Sequence, residues 1–573
     1  MHFVKKVPTT EEERAAKEKE HEKKTKKYLF ARDRIFEKRE NGEFDDEILA
    51  LTQAVLEKNC DHYTLWNIRR NTIELRITEN KKTQASDASA EEKEKSLQQV
   101  ENLLSGELFL SYECIKGNPK SYSAWFQRGW VIERQSSPNL ENELALCEKA
   151  LKLDCRNFHV WDHRRIVAAL AHRTDEQELE FSNKLISENF SNYSAWHYRS
   201  IGLKRSKNET TGETKLSENV VKEELEKVKS AIYMDAEDSS AWSYIRWLLE
   251  VGSSREFMRS DSSTAPVPLS ASFHGTNTTI VMSRACTLPV VLSFTNTDDS
   301  TSWRGFSSLS QHPTAARVWQ YMSDTPLKLA LDGGWVELTK SKYVNKELLK
   351  KVYQVTPLVT SSPIKSLIDD TESLIQLEPQ NKWPLYMKTL CLIEYRPSEA
   401  HEEIINNLKK LAAELDTKRK ELYTAIASKQ LICQALRKDD TLEKLMSGDE
   451  DRLKLADLGL TTLEGAEYLA GLVYDIDLSG NHLKTIGEVV LPNLNKLTID
   501  NNPIKKFSPS VSLGKVDFLS IAMTEVATLD DVIPCLQTLS SLKVFLFCQT
   551  QLVDRRKELG EALPGVRLIP YYL

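Results

Sequence analysis

The chain contains 573 residues, of which 40% are hydrophobic, so it can bury the cores of several domains. Its 77 basic and 84 acidic side chains leave a formal charge of −7, which provides no broad basic surface and excludes a nucleic acid as the expected partner. The nine cysteines are scattered without a C-x-x-C pair, which predicts reduced thiols. The N-terminus is densely charged and no run approaches the about 20 apolar residues that span a bilayer, so we expect a cytoplasmic protein that is not an integral membrane protein.

The first half of the sequence repeats around tryptophan. Each copy has an aliphatic residue ten positions before the tryptophan and Asn or Asp seven positions before it, and four copies have an aromatic residue three positions before it and Arg three positions after it. The tryptophans are Trp66, Trp125, Trp161, Trp196 and Trp242, and the arginines are Arg69, Arg128, Arg164 and Arg199. The unit is about 35 residues long. Residues 78–99 and 206–219 lengthen two units, and their polar composition predicts mobile surface loops.

Each unit is predicted to form a helical hairpin. Residues 143–153 carry apolar side chains at helical spacing, and Asn157 can cap a second helix that contains Trp161. The recurring aromatic residue, Trp and Arg fall on nearly one face of that helix, so we expect them to pack together and to hold neighbouring hairpins in contact. A sixth, degenerate copy surrounds Trp383.

The pattern changes after Trp247. Ser, Thr and Pro become frequent and short β-prone runs occur at 279–282 and 288–294, which predicts an inserted, immunoglobulin-like β-sandwich over residues 253–355. Amphipathic helical stretches resume at 364–377, 383–393, 400–415 and 418–436. The helical-hairpin domain therefore comprises residues 1–252 and 356–445, split by the insertion.

Residues 446–573 show a third pattern. The run Val473-x-x-Ile476-x-Leu478-x-x-Asn481-x-Leu483 recurs after 21 to 22 residues, which is typical of a leucine-rich repeat domain. The later copies place Thr524 and Thr550 where Asn belongs. The paired aliphatic residues are expected to point inward from short parallel strands, and Asn can satisfy backbone groups in the following turn.

The chain lacks the common motifs of a complete enzyme. It contains no Gly-rich phosphate loop, no G-x-S-x-G and no H-E-x-x-H, and no Asp pair extends to a magnesium-binding isoprenoid synthase motif. Its own chemistry therefore predicts a scaffold.

The repeat nevertheless carries a specific resemblance. Asn118-Pro-Lys-Ser-Tyr-Ser-Ala-Trp-Phe-Gln-Arg and Arg156-Asn-Phe-His-Val-Trp-Asp-His-Arg-Arg resemble the motifs of protein prenyltransferase alpha subunits, over residues of about 28–250 and 356–437. That family implies a mainly α fold, a superhelix of helical hairpins. It also implies that the superhelix wraps a separate beta subunit, which holds the catalytic zinc and the isoprenoid pocket.

The two additional domains indicate which type of prenyltransferase alpha subunit the chain resembles. A β-sandwich inserted between late hairpins and a C-terminal leucine-rich repeat domain are similar to the alpha subunits of animal Rab geranylgeranyltransferases, the type II enzymes. Those enzymes transfer geranylgeranyl from geranylgeranyl diphosphate to C-terminal cysteines of Rab GTPases presented by a Rab escort protein. The resemblance implies these partners, zinc bound by the beta subunit, and no activity without that subunit.

Three residues are candidates for chemistry. Lys120, Tyr122 and His159 lie just before or within the first turn of second helices, where free N–H groups and the helix dipole favour a diphosphate. The resemblance implies that they act on the diphosphate side of a shared active site. Tyr122 also belongs to the recurring aromatic column, so a packing role competes, and Asn157 is interpreted as a cap. His2 could reversibly ligate a partner's zinc, although an N-terminus without a ligand role is the favoured interpretation.

Other interpretations compete with that of an enzyme subunit. A non-catalytic adaptor could combine tetratricopeptide-like repeats with a leucine-rich recognition tail, but its repeats would show small Gly and Ala contacts instead of a recurring Trp with Arg. An alpha-type subunit that pairs with a different catalytic chain is a third possibility.

Overall fold

The computed structural model describes residues 11–211, 216–252, 266–274, 277–286, 294–295, 303–306, 316–322, 328–331, 334–337, 343–354, 362–485, 490–507, 513 and 515–571. The chain divides into two compact units, Met1–Ser206 and Lys207–Leu573. The domain boundaries proposed from the sequence stay predictions.

The helices of the first unit form a series of hairpins after one long N-terminal helix. The pairs α2 and α3, α4 and α5, and α6 and α7 are the two arms of successive hairpins. The helices are α1 (Glu11–Glu40), α2 (Asp46–Leu56), α3 (Tyr63–Ala85), α4 (Ala90–Gly117), α5 (Tyr122–Ile132), α6 (Leu140–Leu153), α7 (Phe158–Leu170), α8 (Asp175–Glu188) and α9 (Tyr193–Thr211).

The second unit combines helices with three sheets. Its helices are α10 (Glu218–Met234), α11 (Ser239–Gly252), α12 (Lys346–Val352), α13 (Ser362–Leu377), α14 (Lys382–Tyr395), α15 (His401–Lys410), α16 (Lys420–Arg437), α17 (Thr441–Ser447), α18 (Ile533–Leu536) and α19 (Arg556–Ala562). A π-helical turn spans Leu411–Leu415, and 3-10 turns span Thr417–Arg419, Lys438–Asp440, Ala466–Leu469, Leu529–Asp531 and Val553–Arg555.

The strands fall into an antiparallel group and a parallel group. The antiparallel strands are β1 (Pro268–His274), β2 (Asn277–Cys286), β3 (Phe294–Thr295), β4 (Trp303–Phe306), β5 (Ala316–Met322), β6 (Lys328–Leu331), β7 (Gly334–Glu337) and β8 (Tyr343–Val344). The parallel strands are β9 (Arg452–Lys454), β10 (Asp475–Asp477), β11 (Lys496–Thr498), β12 (Phe518–Ser520), β13 (Val544–Leu546) and β14 (Arg567–Ile569). The antiparallel sheets have the orders β4-β5-β2-β1-β8 and β3-β6-β7, whereas β9 to β14 pair in chain order.

The predicted helical hairpins and β insertion are confirmed, but the expectation of loops at the long units is wrong. Helix α3 continues to Ala85, and α4 begins at Ala90 after a capping box formed by Ser89 and Glu92. Segments rich in Lys, Glu and Ala have high helix propensity, so they lengthen the arms of a hairpin. Helix α9 likewise continues to Thr211, so it enters the second predicted loop at residues 206–211. Residues 212–215 of that predicted loop lie outside the described residues.

The recurring tryptophans are buried and share one hydrogen bond. Each indole Nε1 donates to the carbonyl oxygen six residues earlier, over 2.8 or 2.9 Å. The acceptors are the carbonyls of Cys60, Pro119, Cys155, Phe190 and Ala236. Each tryptophan therefore fixes the turn that precedes its own helix while it fills the core.

The aromatic residues three positions before the tryptophans do not share this burial. Tyr63, Tyr122, Phe158 and Tyr193 are exposed over 49 to 69% of their surface, so the expectation that they pack beside Trp and Arg is wrong. At about 100° per residue, positions three before and three after the tryptophan lie roughly 120° apart around the helix. The arginine faces the neighbouring hairpin, and the aromatic residue lies at the edge of the buried face.

The arginines that follow the tryptophans bind glutamates of the next hairpin. Arg128 donates from Nε and Nη2 to Glu143 over 2.8 and 2.6 Å, and Arg164 donates to Glu178 over 2.9 and 3.0 Å. Arg69 donates in the same way to Glu107. All these side chains are buried, so each pair of neighbouring hairpins is joined by a two-point ion pair away from water.

Each of these glutamates has a second partner on its own hairpin. The partner lies two residues after the tryptophan, and it is Gln127 for Glu107, His163 for Glu143 and Tyr198 for Glu178, over 2.7 to 3.0 Å. In the second unit, Tyr244 donates to Glu224 over 2.6 Å at the corresponding positions. Glutamate thus recurs eighteen residues before four of the five tryptophans.

In the parallel sheet, asparagine side chains connect successive strands. Asn481 accepts from the N–H groups of Leu458 and Leu460 and donates to the carbonyls of Leu455 and Leu478. Thr524 reaches only the carbonyl of Ile521, because a hydroxyl has one proton to donate. The strands fall where the predicted repeats place them, and the assignment to the leucine-rich class stays a prediction.

The antiparallel sheet and the parallel strands share one core within the second unit. Leu269, Val281 and Val318 of the five-stranded sheet belong to the same buried cluster as the repeat leucines and α16. The amide oxygen of Asn493 accepts from Thr279 and Gln320 over 3.2 and 3.1 Å. The two segments are therefore packed together, and each stabilises the other.

We predict that Glu143→Leu strongly destabilises the chain. The substitution leaves Arg128 buried without its carboxylate, which costs about 3 to 5 kcal/mol of unfolding free energy. Glu113→Leu is the matched control, because Glu113 forms an exposed ion pair with Lys116 that contributes at most about 1 kcal/mol. Denaturant and thermal unfolding measure both, and equal stability of the two variants would contradict the structural role of the buried pair.

The same carboxylates predict sensitivity to acid. Burial raises the pKa of Glu143 and Glu178, but hydrogen bonds from His163 and Arg128, and from Arg164, Tyr198 and Arg173, outweigh it, so both pKa values lie below 4.5. Their contribution to stability is present above pH 4.5 and is lost as the pH falls through the lowered values. Melting temperatures measured from pH 7 to pH 3 should fall less steeply for Glu143→Leu than for the parent.

Candidate functional site

The candidate residues lie at the starts of α5 and α7 in the first unit. Lys120 precedes the N-cap Ser121, Tyr122 is the first residue of α5, and His159 is the second residue of α7. Ser121 accepts from Ala124 N–H, and Asn157 accepts from His159 N–H. Two neighbouring hairpins thus present their helix N-termini beside the three predicted residues.

Asn157 joins the two helix starts. Its Oδ1 caps α7 over 3.1 Å, and its Nδ2 donates over 2.8 Å to the carbonyl of Pro119, directly before Lys120. The same carbonyl accepts from the indole of Trp125 over 2.9 Å. The predicted cap is therefore also a bridge, and it holds the backbone at Lys120 against the start of α7.

The side chains of Tyr122, Phe158 and His159 form an aromatic cluster. The rings of Tyr122 and His159 meet edge to face at 4.3 Å between centroids, and Phe158 lies 4.0 Å from His159 and 5.6 Å from Tyr122. His159 is only 6% exposed, whereas the tyrosine and the phenylalanine are open to solvent. The imidazole is thus held between two rings at the base of an open surface.

The charges of the site are set by one lysine and two aspartates. Lys120 Nζ lies 3.4 Å from Asp154 Oδ2. Burial lowers the pKa of His159 below 6.5, although the Asp162 carboxylate and the backbone of Lys120 partly oppose the shift, so the neutral form of the imidazole is favoured. A cation, a neutral hydrogen-bonding imidazole and two helix N-termini together can bind the oxygens of a phosphate or diphosphate.

The structure offers no metal site within this arrangement. Among the described residues, no group of three or more His, Cys, Asp or Glu side chains could hold a metal ion. His2 lies outside the described residues. Within the described part of the chain, no helix is both long and apolar enough to cross a membrane.

Sequence reasoning found the lysine, the tyrosine and the histidine but missed what surrounds them. It did not pair Asp154 with Lys120, and it gave Phe158 no place beside His159. Both residues stand in recurring columns of the repeat. The repeat register was the signal that could have predicted this pair. Lys120 lies two residues after Asn118, and Asp154 occupies the position of Asn118 in the next copy.

Comparisons with known proteins identify the class. The model of the protein prenyltransferase alpha subunit repeat matches residues 45–76, 104–135, 140–170, 175–205 and 221–251, which cover the five tryptophan hairpins. The chain therefore contains five copies of the protein prenyltransferase alpha subunit repeat. Among solved structures, the chain is similar to Candida albicans protein geranylgeranyltransferase-I complexed with GGPP, at 16% identity and a TM-score of 0.40 over 75% of this chain and 95% of that chain.

Two curated relatives narrow the class to a family. The geranylgeranyl transferase type-2 subunit alpha of Mus musculus is 32% identical over 602 residues, 99% of this chain and 100% of that protein. The protein of the same name from Dictyostelium discoideum is 36% identical over 251 residues, 44% of this chain and 75% of that protein. The chain belongs to the family of geranylgeranyl transferase type-2 alpha subunits.

We predict that His159 titrates below the ordinary histidine value of 6.5, because burial disfavours its charged form. Asp162→Asn removes the carboxylate that raises this pKa, so it should lower the pKa further. The measurement is a pH titration of labelled histidines by NMR, with His159→Gln to assign the signal and Asp87→Asn, an exposed aspartate, as the control. A signal that titrates above 6.5, or that ignores Asp162→Asn, would contradict this description of the site.

Proposed function

We propose that this chain is the alpha subunit of a heterodimeric type II protein geranylgeranyltransferase. In this proposal, the assembled enzyme transfers geranylgeranyl from geranylgeranyl diphosphate to C-terminal cysteines of Rab GTPases presented by a Rab escort protein in the cytoplasm. The main support for the proposal is that Lys120 and His159 lie together at two adjacent helix N-termini in a chain of this family. The full-length match to the mouse protein supports the type of transferred group.

The proposed role of the site is to stabilise the leaving group. As the bond between carbon and the diphosphate oxygen breaks, negative charge accumulates on the diphosphate. Lys120 supplies a full positive charge, and His159 supplies a hydrogen bond from a neutral ring. Both interactions strengthen as the charge develops, so they lower the barrier more than they improve ground-state binding.

The proposed beta subunit would cover the exposed aromatic row of the first unit. This row consists of the residues three positions before successive tryptophans, Tyr63, Tyr122, Phe158 and Tyr193, all exposed. Phe126 adds a further exposed ring next to Tyr63, with Arg70 lying 4.9 and 6.0 Å from their centroids. Exposed aromatic side chains, two of them beside the buried Arg70, favour a protein interface.

The proposed zinc belongs to the beta subunit, where it would activate the acceptor thiol as a thiolate. In the same proposal, the alpha subunit contributes its ammonium and imidazole on the opposite side of the transferred carbon. The purified single chain should therefore bind no catalytic zinc and show no turnover.

We predict that Lys120→Ala slows the single-turnover transfer rate of the assembled heterodimer by roughly ten- to several-hundred-fold, or about 1.4 to 3.5 kcal/mol. Isoprenoid affinity should change much less, because the interaction matters mainly in the transition state. His159→Ala should have a milder effect, since a neutral ring donates only one hydrogen bond. Rapid-quench transfer, isoprenoid binding and thermal melting of each variant are the measurements.

Lys116→Ala is the control, because Lys116 is an exposed lysine of the same hairpin that pairs with Glu113. It should transfer at the parental rate. If Lys120→Ala also transferred at the parental rate, or failed only because the subunits separated, the diphosphate role of Lys120 would be wrong.

A further inference from the structure

The residue seven positions before each tryptophan forms a turn that needs no charge. In every copy its Oδ1 accepts from the backbone N–H two residues later, over 2.9 to 3.3 Å. The five residues are Asn59, Asn118, Asp154, Asn189 and Asp235. Because an amide oxygen closes this turn as well as a carboxylate does, the negative charge of Asp154 is not required by the turn.

In the second and third copies, the other polar atom of the turn-forming side chain contacts the preceding hairpin. Asn118 Nδ2 donates over 3.0 Å to Asp61, and Asp154 Oδ2 faces the ammonium of Lys120 over 3.4 Å. Asp61 and Lys120 occupy the same position in successive copies, two residues after the turn-forming side chain. The turn-forming side chain is therefore the donor in the first pair and the acceptor in the second, and each pair is complementary.

We propose that Asp154 is a positioning residue that holds Lys120 at the site and weakens ground-state binding of the diphosphate by competing for its ammonium. This inference rests on the proposed function, in which Lys120 faces the leaving diphosphate. The ammonium lies against Asp154 at the start of the site, while the Asp154 backbone is held by α6 and by its turn. A bound diphosphate must compete with this carboxylate for the same ammonium.

The competition has a defined energetic consequence. An exposed ion pair shifts an equilibrium by about two- to fivefold, so the carboxylate can retain Lys120 against the ground-state diphosphate. As bond breaking adds charge to the diphosphate, the ammonium gains more by moving to the leaving group. Because the ion pair is broken when the ammonium moves, its free energy opposes both diphosphate binding and the transition state, so Asp154 weakens ground-state binding without speeding the chemical step.

The other charged groups around the pair do not provide this function. Asp162 binds Arg165 on α7 and influences His159, and Arg156 contributes its backbone N–H to the turn. Asp154 is the carboxylate that faces Lys120 among the ion pairs of the described residues. It is therefore the residue to change.

The test is Asp154→Asn in the assembled heterodimer. Asparagine preserves the turn, as Asn118 and Asn189 do, so the fold and the melting temperature should be unchanged. The released Lys120 should tighten binding of geranylgeranyl diphosphate by about two- to fivefold without slowing single-turnover transfer at saturating substrate. The ratio of rate to Kd should rise by about two- to fivefold, because the transition state no longer requires the ion pair to be broken.

Asp235→Asn is the matched control. Asp235 forms the same turn in the fifth copy, but the residue that corresponds to Lys120 in the fourth copy is Ser191. Its substitution should change neither affinity nor rate. In a Lys120→Ala background, Asp154→Asn should no longer alter affinity, because the carboxylate acts through the lysine.

Each outcome separates the inference from the proposed function. An unchanged Kd for Asp154→Asn, together with slow transfer by Lys120→Ala, would overturn the positioning role and leave the function standing. Equal tightening in the parent and in the Lys120→Ala background would mean direct repulsion of the diphosphate, which also overturns it. Parental transfer by Lys120→Ala would instead remove the diphosphate role of Lys120 on which the inference rests, and only a parental heterodimer without transfer would remove the proposed function itself.

Discussion

The first unit depends on buried glutamates that bind two hairpins at once. Glu143 accepts from Arg128 of the preceding hairpin and pairs with His163 of its own second helix. A buried carboxylate without both partners would be costly, so the two helices must adopt one relative register to satisfy it. The apolar core provides most of the burial, and these directional bonds add a specific requirement for which residues of neighbouring hairpins become adjacent.

That register determines the geometry of the candidate site. Lys120 and His159 belong to different hairpins, and they become neighbours only because Arg128 and Glu143 align α5 with α6 and α7. Asn157 then completes the alignment locally through the carbonyl of Pro119. The chemistry of the site is therefore a property of the contact between repeats, and it is lost if either hairpin shifts by one helical turn.

The sequence predicted the hairpins well, because a buried Trp at a fixed interval and a capping Asn157 are local signals that depend on helix geometry alone. It mispredicted residues 78–99, because polar composition suits both a loop and an exposed helix, and only the capping box at Ser89 distinguishes them. The Glu column was missed although it recurs eighteen residues before four tryptophans. A single buried charge is indistinguishable from surface charge until its arginine partner on the next hairpin is known.

The candidate site could be predicted as residue types but not as an arrangement. The motifs around Lys120 and His159 identified both residues, since each lies at the start of a helix that its own sequence defines. The arrangement depends on how two hairpins meet. This contact sets the mutual position of Lys120 and His159, the aromatic packing of Tyr122 and Phe158, and the contact of Lys120 with Asp154.

In a repeat protein, the same column supplies a structural contact in one copy and a candidate functional one in another. Asn118 and Asp154 occupy equivalent turns, yet only the second places a charge opposite a lysine. The physical distinction between copies is therefore which side chain the neighbouring repeat presents, and this is where function can change without disturbing the fold.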